Sequence, residues 1–451
     1  MALHYRAALL VGLLAGCGGE LVPQGQPAGV EADPVQYPQS LRAIAGLSPA
    51  PRDPLTAADA ARVVSDGFHW LRFEIEWDRV ERSPGVWDFA QYDAELDLVR
   101  AAGMEPMALL VYGNPLYPPE GGRCRMLGDN SDSYKCPPAD PQTYARFAGE
   151  AARYFAGRIQ HYELWNEANN WFRFWPVTEG GDAAAYARLL DAASRAIHGQ
   201  CSDCTVVSGG LVYLDAPPLV EGQVRFMETM QAAVPDLFTE VVDAIGFHHY
   251  TFYPPVAAPE DELWPEVSLE QAIRNVRQAC GDCRTAIHIT ETGWTTSAGF
   301  SEHRQAQYAL RGLLIAMVMD ARSWMWWSLR MLDGSGEKLI APQEASFGLW
   351  RSDNEPRPAY VALARLLNDY GQATQIRDLR ARYGLEPPAQ WAVELSGGGL
   401  APVTIVWQNG DHPDLAPAPL RGAHGVNLIT GQTVVLDRLS GDPVAMPSVQ
   451  P

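Results

Sequence analysis

Two glutamates stand where strand-like runs stop. Glu167 closes His161-Tyr162-Glu163-Leu164-Trp165-Asn166, and Glu291 lies within Ile287-His288-Ile289-Thr290-Glu291-Thr292-Gly293-Trp294. Two carboxyl groups brought together can divide acid–base and nucleophilic work, one held protonated and the other ionised. Each also has a structural reading, Glu167 as a loop cap and Glu291 as the partner of an arginine. Arg72, Glu74 and Glu76 alternate on one strand face, where an Arg72–Glu74 ion pair is at least as well supported as catalysis by either carboxylate. His248 shares the parity of Tyr250 and His249 does not, so His248 is the expected site residue, with a hydrogen-bonded core histidine as its rival.

These side chains need strands to carry them. Eight strand candidates run over residues 41–47, 68–77, 104–113, 159–166, 205–211, 242–250, 285–292 and 323–329, and helical stretches such as 56–65, 141–157, 183–197, 269–279 and 302–321 separate them. A final helix at 359–370 completes the series. Repeated βα units predict an α/β fold, a (β/α)8 TIM barrel over 41–371, with a doubly wound open sheet as the competing topology. No GxGxxG or P-loop follows a strand, which disfavours nucleotide-binding versions of that class. In a barrel the chemistry sits where strands end, which raises the weight of Glu167 and Glu291. Beyond residue 371 short alternating runs at 391–395, 403–407, 426–428 and 433–436 predict a small antiparallel, β-sandwich-like domain over 372–451.

The chain has 451 residues, 47% of them apolar, enough for a sizeable core. Its 34 Lys and Arg against 54 Asp and Glu leave a net charge of −20, which repels a phosphate backbone and excludes nucleic acid as the expected partner. The longest internal apolar run, 313–319, is too short for a membrane span. At the N-terminus Arg6 precedes an apolar run, and Leu14-Ala15-Gly16-Cys17 looks like a bacterial lipobox. The expectation is a signal peptide over 1–17, lipidation at Cys17, a flexible tether over 18–40, and export to a membrane-anchored position. An ordinary signal peptide is the alternative. The six other cysteines suggest local disulfides, Cys124 with Cys136, Cys201 with Cys204 and Cys280 with Cys283. A four-thiolate zinc site would have to span the 75 residues between the two CxxC pairs and is disfavoured, so no metal is expected.

The joint order of several motifs resembles the clan A glycoside hydrolases, above all family 39 in its exopolysaccharide-cleaving branch, or family 5. Trp165-Asn166-Glu167 is similar to the acid/base strand of that clan, and Thr290-Glu291-Thr292-Gly293-Trp294 to its nucleophile strand. Arg72 in Trp70-Leu71-Arg72-Phe73-Glu74, Pro84-Gly85-Val86-Trp87-Asp88, His248-His249-Tyr250, Trp326-Trp327-Ser328 and Phe347-Gly348-Leu349-Trp350 follow in the matching order. One departure is Ala168, where a proline usually follows Asn-Glu.

The resemblance implies retaining hydrolysis of a polysaccharide or oligosaccharide, with Glu167 as acid/base and Glu291 as nucleophile about 5 to 5.5 Å apart. Glu167 then needs a raised pKa at rest, while Arg72 or Tyr250 holds Glu291 ionised. Asn166 is expected on the sugar 2-hydroxyl. Because Asn166 and its neighbour Glu167 must both face the site, the strand is expected to bend or end there. Trp327 is the expected stacking platform, with Trp326 as alternative. Trp171, Phe172, Trp175 and Trp264 either stack on sugars or pack loops. No metal or organic cofactor is implied. Endo cleavage is preferred, an exo-acting β-xylosidase or β-glucosidase is the alternative, and a non-catalytic carbohydrate-binding lipoprotein is the alternative of another class. Expected partners are a carbohydrate and, through the lipid, a membrane; the oligomeric state stays open.

Overall fold

A computed structural model describes residues 33–37, 40–50, 53, 55–119, 135–171, 173–176, 182–213, 222–251, 257–261, 267–281, 283–297, 299–330, 346–410 and 414–448. Cys17, Cys124, Phe172 and Trp264 lie outside them, as does most of the expected tether. Eight parallel strands close on themselves: β1 (Ala45–Leu47), β2 (Trp70–Glu76), β3 (Glu105–Val111), β4 (His161–Leu164), β5 (Thr205–Ser208), β6 (Ala244–His249), β7 (Ala286–Thr292) and β8 (Ala321–Trp326). Every strand candidate read from the sequence contains or overlaps one of them. The structure is thus the expected (β/α)8 barrel, and the open sheet is excluded by the pairing of β8 with β1.

One principal helix follows each strand: α1 (Ala57–Ser65), α2 (Asp93–Ala102), α3 (Pro141–Tyr154), α4 (Ala183–His198), α5 (Gln223–Ala233), α6 (Leu269–Ala279), α7 (Glu302–Val318) and α8 (Pro358–Tyr370). Their starts are written in local chemistry. Thr56 and Asp59 form a reciprocal capping box at α1, and Asp140, Asp182, Ser268 and Ser301 each accept a backbone N–H of the turn they open. Helix α2 stops at Gly103, whose φ of 87° lies in the left-handed region open to glycine. Among the described residues, no helix is long and apolar enough to cross a membrane.

The barrel interior changes character along its axis. Trp70, Met107, Val207, Ala244 and Met325 plug the N-terminal end, with His161 and His288 edge-on to Trp70. One alternation further along, the inward residues are Arg72 and Glu163, so the apolar plug supports a polar layer.

A seven-stranded antiparallel sheet follows, with β9 (Gln375–Asp378), β10 (Gln390–Gly397), β11 (Leu400–Gln408), β12 (His424–Asn427), β13 (Thr433–Val435) and β14 (Val444–Pro447). Alternation divides its faces. Trp391, Val393, Leu395, Ile405 and Trp407 join the barrel core, while Ala392, Val406, Val444 and Met446 belong to a separate small cluster. The seventh strand is Val35–Gln36, paired with Ile376 and Gln375 at the sheet edge. The end of the segment expected as a flexible tether over 18–40 is therefore fixed in place, because an edge strand offers backbone partners and Tyr37 finds a buried berth.

Candidate active site

Four strands and the loops after them build one polar cluster at the C-terminal mouth of the barrel. Arg72 projects from β2 and is buried. Its Nε donates to Glu163 Oε2 at 2.5 Å, Nη1 to Glu291 Oε1 at 2.5 Å and Ser48 Oγ at 3.2 Å, and Nη2 to Asn166 Oδ1 at 2.9 Å. The Arg72–Glu74 ion pair suggested by their shared face is thus replaced by cross-barrel pairs, which satisfy the guanidinium with carboxylates of β4 and β7. Burial works against the charged guanidinium, but Glu163 and Glu291 outweigh it and hold Arg72 more firmly protonated than usual.

Strand β4 ends at Leu164, and Trp165 and Glu167 take φ values of 70° and 44°. These left-handed residues are uncommon for side chains of this size and break the alternation. Asn166 and Glu167 consequently both reach the site, as the expected bend requires. Glu167 is 7% exposed, accepts from Asn170 Nδ2 at 2.9 Å, and has its Oε1 3.0 Å from His248 Nδ1. Burial pushes the Glu167 carboxyl up, but His248, Arg173 and Asn170 together hold it below its usual value. The raised resting pKa expected of Glu167 is therefore corrected: an imidazole in contact reverses the effect of burial.

Glu291 is held from two sides, by Arg72 and by Tyr250, whose hydroxyl donates to Oε2 at 3.1 Å. Burial, with Glu291 and Glu167 adding to it, keeps that phenol protonated well above its ordinary range. Between β6 and β7 the pairing slips from Phe247–Ile289 to His248–Glu291, leaving Thr290 as an extra residue. Thr290 and Glu291 therefore both turn inward. His248 lies between the carboxylates, its Nδ1 3.8 Å from Glu291 Oε2, and one oxygen of Glu167, one oxygen of Glu291 and a ring nitrogen of His248 lie within 4.8 Å of one another. The imidazole packs against bare backbone at Gly210, where a Cβ would come within 2.0 Å of Nε2.

His249 points away and bonds the Val267 carbonyl at 3.0 Å; burial lowers its pKa to about 4, the behaviour of a core histidine. Trp326 is fully buried against Trp294 and Trp324, while Trp327 is half-buried beside Phe347 at 5.4 Å and keeps a surface for a ligand. Trp171 is only 6% exposed, and Trp175 packs on Trp165 and Tyr186. Of the two readings open for Trp171, its burial favours loop packing, which removes more of the indole from water. Cys201–Cys204 and Cys280–Cys283 are bridged. The pairing of Cys136 with Cys124 falls outside the described residues.

Sequence reasoning passed over Glu163, Thr290 and Asn170. Glu163 had a signal, since a carboxylate inside an apolar strand needs a buried cation, and Arg72 supplies it. Thr290 had a signal in alternation, since it shares the parity of the inward His288, and the register slip then turns its neighbour Glu291 inward as well.

No family model matches the sequence and no curated protein is significantly similar to it. Solved structures are similar. A family 39 glycoside hydrolase from the gut symbiont Bacteroides cellulosilyticus superimposes with a TM-score of 0.66 at 17% identity, over 91% of this chain and 81% of that one. The family 39 enzyme of Xanthomonas axonopodis pv. citri gives 0.57 at 17% identity, over 90% and 82%. A family 30 endoxylanase of Clostridium papyrosolvens gives 0.57 at 12% identity, over 92% and 98%. The chain thus has the fold of these glycoside hydrolases, in keeping with the family 39 resemblance of its motifs.

Proposed function

We propose that this protein is a retaining O-glycosyl hydrolase that cleaves β-glycosidic bonds of a polysaccharide or oligosaccharide by double displacement. The observation that carries the proposal is the pair Glu167 and Glu291, brought together across the barrel mouth in unlike surroundings. Their closeness supports direct attack over inversion, which needs room for a water between carboxylate and sugar. Glu291, fixed by Arg72 and Tyr250, is the nucleophile at the anomeric carbon. Glu167 protonates the leaving oxygen and then takes a proton from the attacking water. Asn166, oriented by Arg72, is placed for the sugar 2-hydroxyl, and Trp327 offers a ring face to the sugar. The chemistry needs no metal or organic cofactor.

Within this class endo cleavage is the proposal, supported by the length of the connections that follow β3, β4 and β6. A β-xylosidase of Caulobacter crescentus and the family 30 endoxylanase share the fold, so product size is the test that separates exo from endo action. We also propose that the protein is exported and lipid-anchored through Cys17, which the two bridged CxxC pairs support.

The decisive experiment incubates the chain and its Glu291→Gln variant with β-glucans, xylans, galactans and bacterial exopolysaccharides, following product size and the anomeric configuration of the first product. Wild type is expected to release fragments with retained configuration, and the variant to bind without turnover. Equal turnover by both, or initial inversion, would reject the assignment.

A further inference from the structure

His248 Nδ1 faces Glu167 Oε1 at 3.0 Å, and its Nε2 lies 3.1 Å from Thr290 Oγ1. In a neutral imidazole one nitrogen donates and the other accepts, and the partners decide which. Thr290 has a single hydroxyl proton, and it donates that proton to Glu163 Oε1 at 2.8 Å. Glu163 acts as an acceptor throughout: the same oxygen receives the Gly210 N–H at 2.8 Å, and the other receives Arg72 Nε at 2.5 Å. With its proton committed, Thr290 Oγ1 can only accept from the ring, so Nε2 of His248 carries a hydrogen. Nδ1 of a neutral ring would then aim a lone pair at a carboxylate oxygen, a contact that becomes favourable only when one proton lies between the two atoms.

We propose that Thr290 is a positioning residue, which fixes His248 with Nε2 protonated and so makes His248 and Glu167 hold one shared proton for delivery to the leaving group. The use of that proton rests on the glycosidase reading. In the first step the proton passes through Glu167 to the glycosidic oxygen as the C1–O bond breaks and Glu291 forms its ester with C1. His248 is left neutral and Glu167 ionised. In the second step water delivers its oxygen to C1 and its proton back to the Glu167–His248 pair, and the Glu291 ester breaks.

The groups around the Glu167–His248 pair fit one proton in it. Thr290, Glu291 and Gly210 lie against His248, Asn170 and Arg173 act on Glu167, Tyr250 holds Glu291, and Arg72 from β2 pairs with Glu163 and Glu291. Carboxylate oxygens of Glu167 and Glu291 lie 3.0 and 3.8 Å from Nδ1, so a hydrogen there has an acceptor on either side.

The test uses the full chain with 15N-labelled histidine rings, assigned by a His248→Asn variant, across a pH titration of wild type, Thr290→Val and Thr290→Ser. The expected result is a wild-type His248 whose Nε2 stays protonated from pH 5 to 8, loss of that preference in Thr290→Val, and its return in Thr290→Ser. On an aryl β-xyloside or β-glucoside, Thr290→Val is expected to lower kcat by about 10-fold or more with little change in KM and to shift the alkaline limb, again with rescue by Ser. A wild-type ring with bare Nε2, or a Thr290→Val variant with unchanged ring signals and pH profile, would overturn the proposal while leaving hydrolysis itself intact. A locked ring in a chain that hydrolyses none of the glycosides would instead sink the hydrolase reading and the proton delivery, with the tautomer assignment surviving.

Discussion

At the scale of single residues, the site is made by unlike environments for chemically similar groups. Glu163, Glu167, Glu291 and Glu74 all reach the barrel interior or its mouth. Glu163 is closed off by Arg72, Thr290 and Gly210, whereas Glu291 keeps a face toward solvent. Glu74 is different again: burial, with Glu76 and Glu291 adding and Arg72 opposing, pushes its carboxyl up to about 7. Between its ordinary value of 4.5 and about 7 the folded chain therefore holds a proton that the unfolded chain has released. By linkage this group's contribution to stability falls as pH rises through that window. Glu74→Gln removes the ionisation, so the variant's Tm relative to wild type is expected to be higher at pH 8 than at pH 5. A constant difference between the two pH values would contradict the raised carboxyl.

At the scale of elements, two departures from regular strand geometry create the site. The left-handed residues after β4 turn Asn166 and Glu167 to one side, and the register slip of β7 does the same for Thr290 and Glu291. Alternation rules made the first legible, since adjacent functional residues cannot share a face of a regular strand. The second left no trace, because an isolated sequence does not say which residue of β7 is the unpaired one. The junction of barrel and second sheet is another element-scale device. Arg311 of α7 meets Glu260 through Nε at 2.8 Å and Nη2 at 2.5 Å, and Trp407 of β11 donates to the same carboxylate at 2.7 Å. Both charges are almost fully buried. Glu260→Ala leaves the buried guanidinium without its counter-charge, with only Asn409 Oδ1 still accepting from it, at an expected cost of about 3–5 kcal/mol, read as a lower denaturant midpoint with an unchanged m-value. An unchanged midpoint would show that the second sheet does not brace the barrel through this contact.

At the scale of the whole molecule, the chain enters the described structure at Asp33, and Val35–Gln36 is sewn to the outer edge of the second sheet. The proposed anchor at Cys17 would thus join the described structure through the edge of the second sheet. Metabolic labelling with radioactive palmitate is expected to mark wild type in a bacterial host, and Cys17→Ala is expected to lose both label and membrane sedimentation. Persistent sedimentation of an unlabelled Cys17→Ala chain would rule the anchor out. Much of the architecture was legible beforehand, because βα periodicity, caps and apolar runs are local properties of the chain. Eight strands and the two exposed-end glutamates follow from them. The Val35–Gln36 strand and β9 were not singled out because they are only two and four residues long, and α5 because its apolar periodicity is weak; α2 was passed over although its apolar face is as clear as that of α8. The partners of each group were decided only by tertiary structure. Arg72 is 91 residues from Glu163 and 219 from Glu291 in the chain, and Thr290 is 127 from Glu163. Pairing at such distances is set by barrel closure and register, and these determine which carboxylate is closed off by Arg72 and Thr290, which is held by Arg72 and Tyr250, and which faces an imidazole.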